Sequence, residues 1–418
     1  MTMGNKSAMA PKLRFPEFRE RDKWASATLG QLFSERQEVG FTDLPLLSLM
    51  DKEGIIPQDA TNRKNNSNAD KSKYLRVFPG DIAYNTMRMW EGRCAYVGIE
   101  GVVSPAYTVC KPVDGTHSLF FAFYFKTPLL IRLFRQFSQG LVKDTLNLKY
   151  QAFSQIKVTC PKDKSEQRKI ADCLRSLDEI ISTQEQKIAS LKVYKRDLIQ
   201  QLFPLEGETL PRLRFPEFRN APEWEPTTLD VLVDFQSGGT PSKANPAFWN
   251  GSIPWISAKD MKRLFLDDSE DHISAAAVSN GAKLAPAGTV LVLTRGMTLL
   301  KDVPICVLRR EMSFNQDVKA LRPKGKTEAL FVALLLLGNK RRLLKMVDIA
   351  GHGTGKLNTD ELKALKLTTP KLAEQQRISE FISSLDVQIE AEAEKLAVLN
   401  AHKDGLMQQI FPSLEGAK

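Results

Sequence analysis

The sequence predicts an α+β chain: two mixed α/β domains separated by two long antiparallel coiled-coil helices, related as a pseudo-two-fold tandem repeat. Three observations predict it. PKLRFPEFR at 11–19 returns as PRLRFPEFR at 211–219. The stretch 166–204 returns, much altered but recognisable, as 374–412. The segments between are apolar runs of strand and helix character, broken by Gly and Pro.

Repeats are read first because they set the architecture. Trp24, Thr28 and Leu29 recur as Trp224, Thr228 and Leu229, at the offset of 200 shared by the two PEFR stretches. EQRKIADCLRSLDEIISTQEQKIASLKVYKRDLIQQLFP (166–204) and EQQRISEFISSLDVQIEAEAEKLAVLNAHKDGLMQQIFP (374–412) match at an offset of 208. The change of offset requires insertions in between. Residues 40–150 and 240–360 do not align with each other. Matching ends and unlike middles fit a duplicated protein that binds one partner twice and two different targets. Drift without selective meaning blurs the middles as well.

In chain order, the first domain spans 1–162. LPLLSLM (44–50), YLRVF (74–78), DIAYNTM (81–87) and CAYVGI (94–99) read as short strands. SLFFAFYFKTPLLIRLFRQF (118–137) reads as one or two buried helices. The central long helix occupies 163–204, with apolar residues at Ile170, Leu174, Leu177, Ile181, Ile188, Leu191, Leu198 and Leu202. Gln184 and Lys195 complete an unbroken 4-3-4-3 spacing, the seam of a coiled coil. The second domain spans 205–373, with strands in IPWIS (253–257), TVLVLT (289–294), PICVLRR (304–310) and DVKALRP (317–323), then helix in 329–347. The distal long helix occupies 374–412, with a seam of Ile378, Ile382, Leu385, Ile389, Leu396, Leu399, Leu406 and Ile410. Glu392 and Lys403 fill its gaps, and 413–418 form a tail.

Both helices end at a proline, Pro204 or Pro412, and at about 1.5 Å per residue each reaches roughly 57 Å. Neither is stable alone in water, so each stripe needs a cover. The simplest cover is the other helix, antiparallel under a two-fold relation, with the domains at opposite ends. The competing arrangement packs each helix only on its own domain. Polar breaks at matching seam positions favour the mutual pair, because polar seam residues fix register.

Composition narrows the class. Net charge is +10. Residues 1–162 hold 23 Lys and Arg against 15 Asp and Glu, a surplus of 8; residues 205–373 hold 24 against 19, a surplus of 5. The first helix segment is nearly neutral, 8 against 7, and residues 374–418 are acidic, 4 against 8. Two basic blocks point to an anionic partner, although mildly basic surfaces are also common. No apolar run is long enough to span a bilayer, and the start MTMGNKSAMA lacks a secretory core, which predicts a cytoplasmic protein without a membrane partner. The five cysteines, Cys94, Cys110, Cys160, Cys173 and Cys306, are scattered without a CxxC pair, so reduced thiols are expected. His117, His272, His352 and His402 are equally dispersed, and no metal site is predicted.

At certain stretches the chain resembles the specificity subunits of type I restriction-modification systems. FQSGGTPSKANPAFWNGSIPWISAKDM (235–261) is similar to a frequent opening of their target-recognition domains. PGDIAYNTMRMWEGRCAYVGIEGVVSPAYTVCKP (79–112) resembles a common middle section, and GHGTGKLNTDELKALKLTTPKLAEQQRI (351–378) the usual exit into the conserved helix. The resemblance covers nearly the whole chain. Each motif is loose, and their order around two matching helices is specific. The first domain departs from the pattern, with SERQEVGFTDLPLLSLM in place of a GGTPS-type opening, so residues are not transferred between the domains. The resemblance implies a non-catalytic subunit reading a bipartite, asymmetric double-stranded DNA target, one half per domain, with the helix pair setting an unread spacer. It implies two methyltransferase subunits and two restriction (motor-nuclease) subunits as partners. S-adenosylmethionine, ATP and Mg²⁺ then belong to those partners, and no cofactor to this chain.

Catalytic motifs are missing. SPAY (104–107) has Ala106 where an adenine-methylating loop needs a second proline. AGHGTGKLN (350–358) fails the P-loop pattern at Ala350 and Leu357. No HExxH or nucleophile elbow occurs. No catalytic residue is assigned.

Arg pairs with guanine, and Asn or Gln with adenine, through two groups at matching spacing, while most other contacts go to phosphate and sugar. The candidates in the first domain are Asn85, Arg88, Trp90, Ser104 and Tyr107. Those in the second are Thr240, Ser242, Lys259, Arg295, Asn315 and Gln316. Lys143, Asn147, His352 and Lys356 are candidates for phosphate contact. The plain alternative for each is a solvated or capping side chain, and for Trp90 a core position. For the whole chain the alternatives are a coiled-coil scaffold binding proteins, an enzyme in its own right, or a piece of a larger fusion. The last is disfavoured because the second helix closes the chain six residues before its end.

Overall fold

In a computed structural model of the chain, the two stretches with the heptad pattern are continuous helices, Lys164–Leu202 and Leu372–Ile410. The structure describes residues 11–50, 54–61, 67–68, 70–140, 142–349 and 353–412; the tail at 413–418 lies outside them. The chain divides into two compact units, Met1–Glu185 with Glu394–Lys418, and Gln186–Ala393. Each helix therefore contributes one part to each unit.

Within both units the two helices run antiparallel. In unit 1, Lys403 donates to Asp178, while Ile410 shares a core with Ile170 and Leu174. In unit 2, Lys187 pairs with Glu392, and Lys195 Nζ lies 2.5 Å and 2.6 Å from the Asp386 carboxylate oxygens. At the 208 offset, Lys195 corresponds to Lys403 and Asp178 to Asp386. The two pairs are one interaction made twice, and the lysine of each stands at a seam position the spacing had marked as polar. Every apolar seam residue named above is buried or half-buried. The helices stop at Leu202 and Ile410, since a following Pro pushes the residue before it out of the α region. Phe203 and Phe411, the residues just before those prolines, are buried in the cores of the domains. Phe411 stacks on Tyr124 at 4.9 Å, and Phe203 meets Trp224 edge-on at 6.0 Å.

In unit 1, Ala25–Thr28 pairs antiparallel with Lys157–Cys160, closing the domain at the base of the helix. An antiparallel sheet follows the order Phe33–Glu35, Tyr107–Pro112, Ile82–Asn85, Cys94–Tyr96. Helices Ser118–Tyr124, Pro128–Phe137 and Tyr150–Ser154 cover it, with Phe120, Phe121, Phe125, Phe134 and Phe153 fully buried.

In unit 2, Glu225–Thr228 pairs with Lys366–Thr369 in the same way. The main sheet has the order Val233–Ser237, Val318–Pro323, Val290–Leu293, Ile305–Leu308, with Phe265–Leu266 added in parallel. The middles that do not align thus share one strand order and one register. Phe33 faces Pro112 as Val233 faces Pro323, and Ile82 faces Cys110 as Val290 faces Leu321. A further sheet, Asp271–Ile273, Ile253–Ile256, Met312–Phe314, Leu284–Ala285, has a counterpart in unit 1, where the ladders Gly54–Pro57 with Leu47–Met50 and Gly101–Val103 with Leu75–Val77 are joined by the parallel bridge of Leu46 and Val102. Sequence alignment misses the kinship because a buried strand asks only for apolar bulk, which IAYN and VLVL both supply.

The cysteines are free thiols, all but Cys173 buried. Burial pushes Cys94 and Cys306 up to about 12, so they stay protonated. Among the described residues no His, Cys, Asp and Glu cluster suits a metal, and no helix is long and apolar enough to cross a membrane.

Candidate nucleic-acid interface

A buried carboxylate fixes each domain to its long helix. Glu166 accepts two bonds from the Arg14 guanidinium at 2.7 Å and one from Trp24 Nε1 at 3.0 Å. Glu374 accepts the same three from Arg214, at 2.8 Å twice, and from Trp224 at 3.2 Å. The adjoining glutamines act alike. Gln167 accepts from His117 N and donates to Pro161 O; Gln375 accepts from Glu328 N and donates to Pro370 O. The repeated residues of the lead-in stretch and the helix start are therefore largely a mounting device.

Above this mount, three segments meet at one threonine in each unit. Strand Ile82–Asn85 runs out into Thr86, whose N–H donates to Ala106 O at 3.0 Å and whose carbonyl accepts from Leu148 N at 2.8 Å. In unit 2, Thr294 donates to Asp317 O at 2.7 Å and accepts from Leu357 N at 2.9 Å. The segments are the turn after the strand, the loop before the next strand, and a hairpin. The hairpin is closed by Gln139 and Asn147 in unit 1 and by Asp348 and Lys356 in unit 2.

In unit 1 these segments carry every candidate. Asn85 accepts from Met87 N at 3.0 Å, Trp90 Nε1 donates to Met87 O, and Ser104 Oγ accepts from Ala106 N. These contacts shape the turns. Arg88 is exposed with a loose 3.3 Å contact to Glu91, and Tyr107 is half-buried beside Asn85 in register. Lys143 projects from the hairpin, and Asn147 donates to Gln139 O and Thr145 O. The Asn147 Oδ1 is buried without a hydrogen-bond partner among the described residues.

In unit 2, Arg295 and Lys356 face each other across two strands, both exposed. Thr240 bonds to Gln316. Asn315 is buried, its carboxamide oxygen engaged by Asp317 N. The Ser242 hydroxyl lies on an exposed loop held by Trp249 Nε1 to Ser242 O at 3.2 Å. Lys259 differs from the rest: Glu270 and Asp271 hold its ammonium at 3.0 Å and 2.9 Å and push its pKa up. His352 falls outside the described residues.

The two threonines were legible and missed. Thr86-x-x-Met89 and Thr294-x-x-Met297 stand at the 208 offset of the long helices. Exposed apolar side chains at the same segments, Met87, Val142, Met297 and Ile349, carried no pattern that sequence reasoning recognises.

Comparison with known proteins agrees with this geometry. The family described as "Type I restriction modification DNA specificity domain" matches residues 22–193 and 222–401. The specificity subunit of the type I restriction enzyme EcoR124I/EcoR124II from Escherichia coli is 31% identical over 245 residues, 56% of this chain and 56% of that one. The chain spans about half the length of the curated relatives it matches. Among solved structures, a chain of a type I restriction-modification system has a TM-score of 0.61 at 16% identity, covering 93% of this chain and 98% of that one. The S subunit from M. genitalium has a TM-score of 0.55 at 16% identity, covering 97% and 100%. At that identity the structures speak for the fold, while the family match, which takes in most of both units, shows that the chain belongs to the type I restriction-modification DNA specificity family.

Proposed function

We propose that this chain is the non-catalytic DNA-reading subunit of a type I restriction-modification complex. Its two units read the two unlike halves of a bipartite, asymmetric duplex target. One observation carries the reading: the same three-segment surface is built twice, on matching mounts, from unlike residues. Matching mounts also fit two copies of one partner, a methyltransferase subunit. Leu13 and Leu213, 37% and 39% exposed, present equivalent apolar side chains there. Each is bonded through its N–H to a long-helix carbonyl, Gln409 O at 3.0 Å and Gln201 O at 2.9 Å. Through those methyltransferases two restriction subunits would join, bringing ATP and Mg²⁺ chemistry, while S-adenosylmethionine belongs to the methyltransferases.

Labelled-methyl transfer tests the proposal directly. The purified chain alone should transfer nothing to duplex DNA, and addition of methyltransferase subunits should give modification at one bipartite sequence. Arg88→Ala should weaken binding of that sequence more than of random duplex, by about 1–3 kcal/mol. Transfer by the chain alone would defeat the reading. So would the absence of duplex binding, which would instead favour a protein scaffold.

A further inference from the structure

The strand-end surface of unit 2 contains two cations, Lys319 and Arg295, without an ion pair among the described residues. Lys319 lies in register between Ser237 and Val292, on a strand of the main sheet. Its Nζ donates to Ser237 Oγ at 2.6 Å. It is half-buried, and burial pushes its ammonium pKa down; Lys363 and Arg295 push it further, with Asp317 opposing. Lys363 stands nearby over the Phe235 ring, at 5.9 Å, with only a 3.5 Å contact to Asp360. Lys356 faces Arg295 across the adjoining small sheet. Among the described residues neither Lys319 nor Arg295 forms an ion pair.

An ammonium withdrawn from water among like charges is unfavourable, and half-buried cations ordinarily have an acidic partner. The cost is relieved when an anion arrives. Unit 1 is built otherwise. The position corresponding to Lys319 is Thr108, opposite Tyr84 in register, with its hydroxyl 3.2 Å from Thr86 Oγ1. Arg36, corresponding to Gln236, is bound by Asp81 and Glu38, and Arg76 by Glu100.

We propose that Lys319, positioned by Ser237 and flanked by Arg295 and Lys363, is a DNA-phosphate contact that unit 2 possesses and unit 1 lacks. Contacts of this type give affinity and register without sequence information. The proposal rests on the strand-end surface being the face that meets DNA.

The test measures duplex binding by the full chain across a salt series, using random-sequence duplex and the mapped duplex, the bipartite sequence at which added methyltransferase subunits give modification. Lys319→Gln should lower affinity for both duplexes alike, by about 5–10-fold at low salt. It should also make the slope of log K against log salt shallower by about 1. Lys363→Gln, a surface change, should reduce the slope likewise and answers for Lys319→Gln if that variant folds poorly. An unchanged slope in both variants, or a loss confined to the mapped sequence, overturns the proposal. Arg295→Ala separates the two layers of argument. If it weakens binding while the lysine variants do not, only the phosphate contact falls. If all three are silent, the strand-end face itself is not the DNA face.

Discussion

Glu166 and Glu374, both buried, each hold three donors, and the mounting of each domain depends on that charge. A buried ion pair is costly to assemble but far costlier to break, because the remaining guanidinium is then unpaired. Glu374→Gln should therefore destabilise unit 2 by about 3–5 kcal/mol. Trp224→Phe, which removes one bond to the charged group, should cost about 1.5–3 kcal/mol. Denaturant melts of the two variants check the order, and equal losses would refute the central place given to the carboxylate. Arg14, Trp24 and Glu166 were legible in the sequence only as repeated residues. Repetition alone does not separate a side chain that mounts a domain from one that meets a partner; only burial does that. Conversely, Asn315, a candidate base reader by its chemistry, already has its oxygen engaged by Asp317 N. A side chain's capacity for two hydrogen bonds is visible in sequence, and what already occupies them is not.

At the level of elements, the two helix pairs were legible because the period of apolar residues depends only on local geometry. Their differences were not. A cleft of about 160 Å³ in unit 1 is lined by Phe15, Trp24, Ile170, Cys173, Leu406 and Ile410, among others. In unit 2 the residue corresponding to Cys173 is Phe381, whose ring meets Phe215 edge-on at 5.4 Å. Cys173→Phe should fill the cleft and stabilise unit 1 by about 0.5–2 kcal/mol. Phe381→Cys should cost unit 2 about 2–4 kcal/mol as its cavity opens. A lowered melting temperature for Cys173→Phe would mean that Arg14 and Glu166 crowd the space instead. The strand order shared by the two middles was hidden for the opposite reason. Pairing register is set by backbone and burial, and many apolar sequences satisfy it equally.

At the scale of the molecule, the division into units does not follow the order of the chain. Unit 2 is one continuous stretch, 186–393, whereas unit 1 needs residues from both ends of the sequence. A chain truncated after Ala393 keeps all of the unit 2 core but loses Ile410 and Phe411 from unit 1. Such a truncation should leave amide protection in 229–385 near that of the full chain and abolish most of it in 120–174. Hydrogen exchange read by mass spectrometry distinguishes the two, and protection retained in both would contradict the division. The charge surplus of each domain was visible in composition, but how each surface deploys it was not. Unit 1 neutralises Arg36 and Arg76 internally, and unit 2 gives Lys319 a serine hydroxyl but no ion pair among the described residues.

The sharing of helices also sets a timetable for the newborn protein. During synthesis, Ile170, Leu174 and Ile181 emerge from the ribosome more than two hundred residues before the partners at 394–411 exist. At about 5–20 residues per second, that apolar stripe waits on the order of ten to forty seconds for its cover. The part translated first is thus completed last, and until then it offers sticky surface to any holdase chaperone near the exit tunnel.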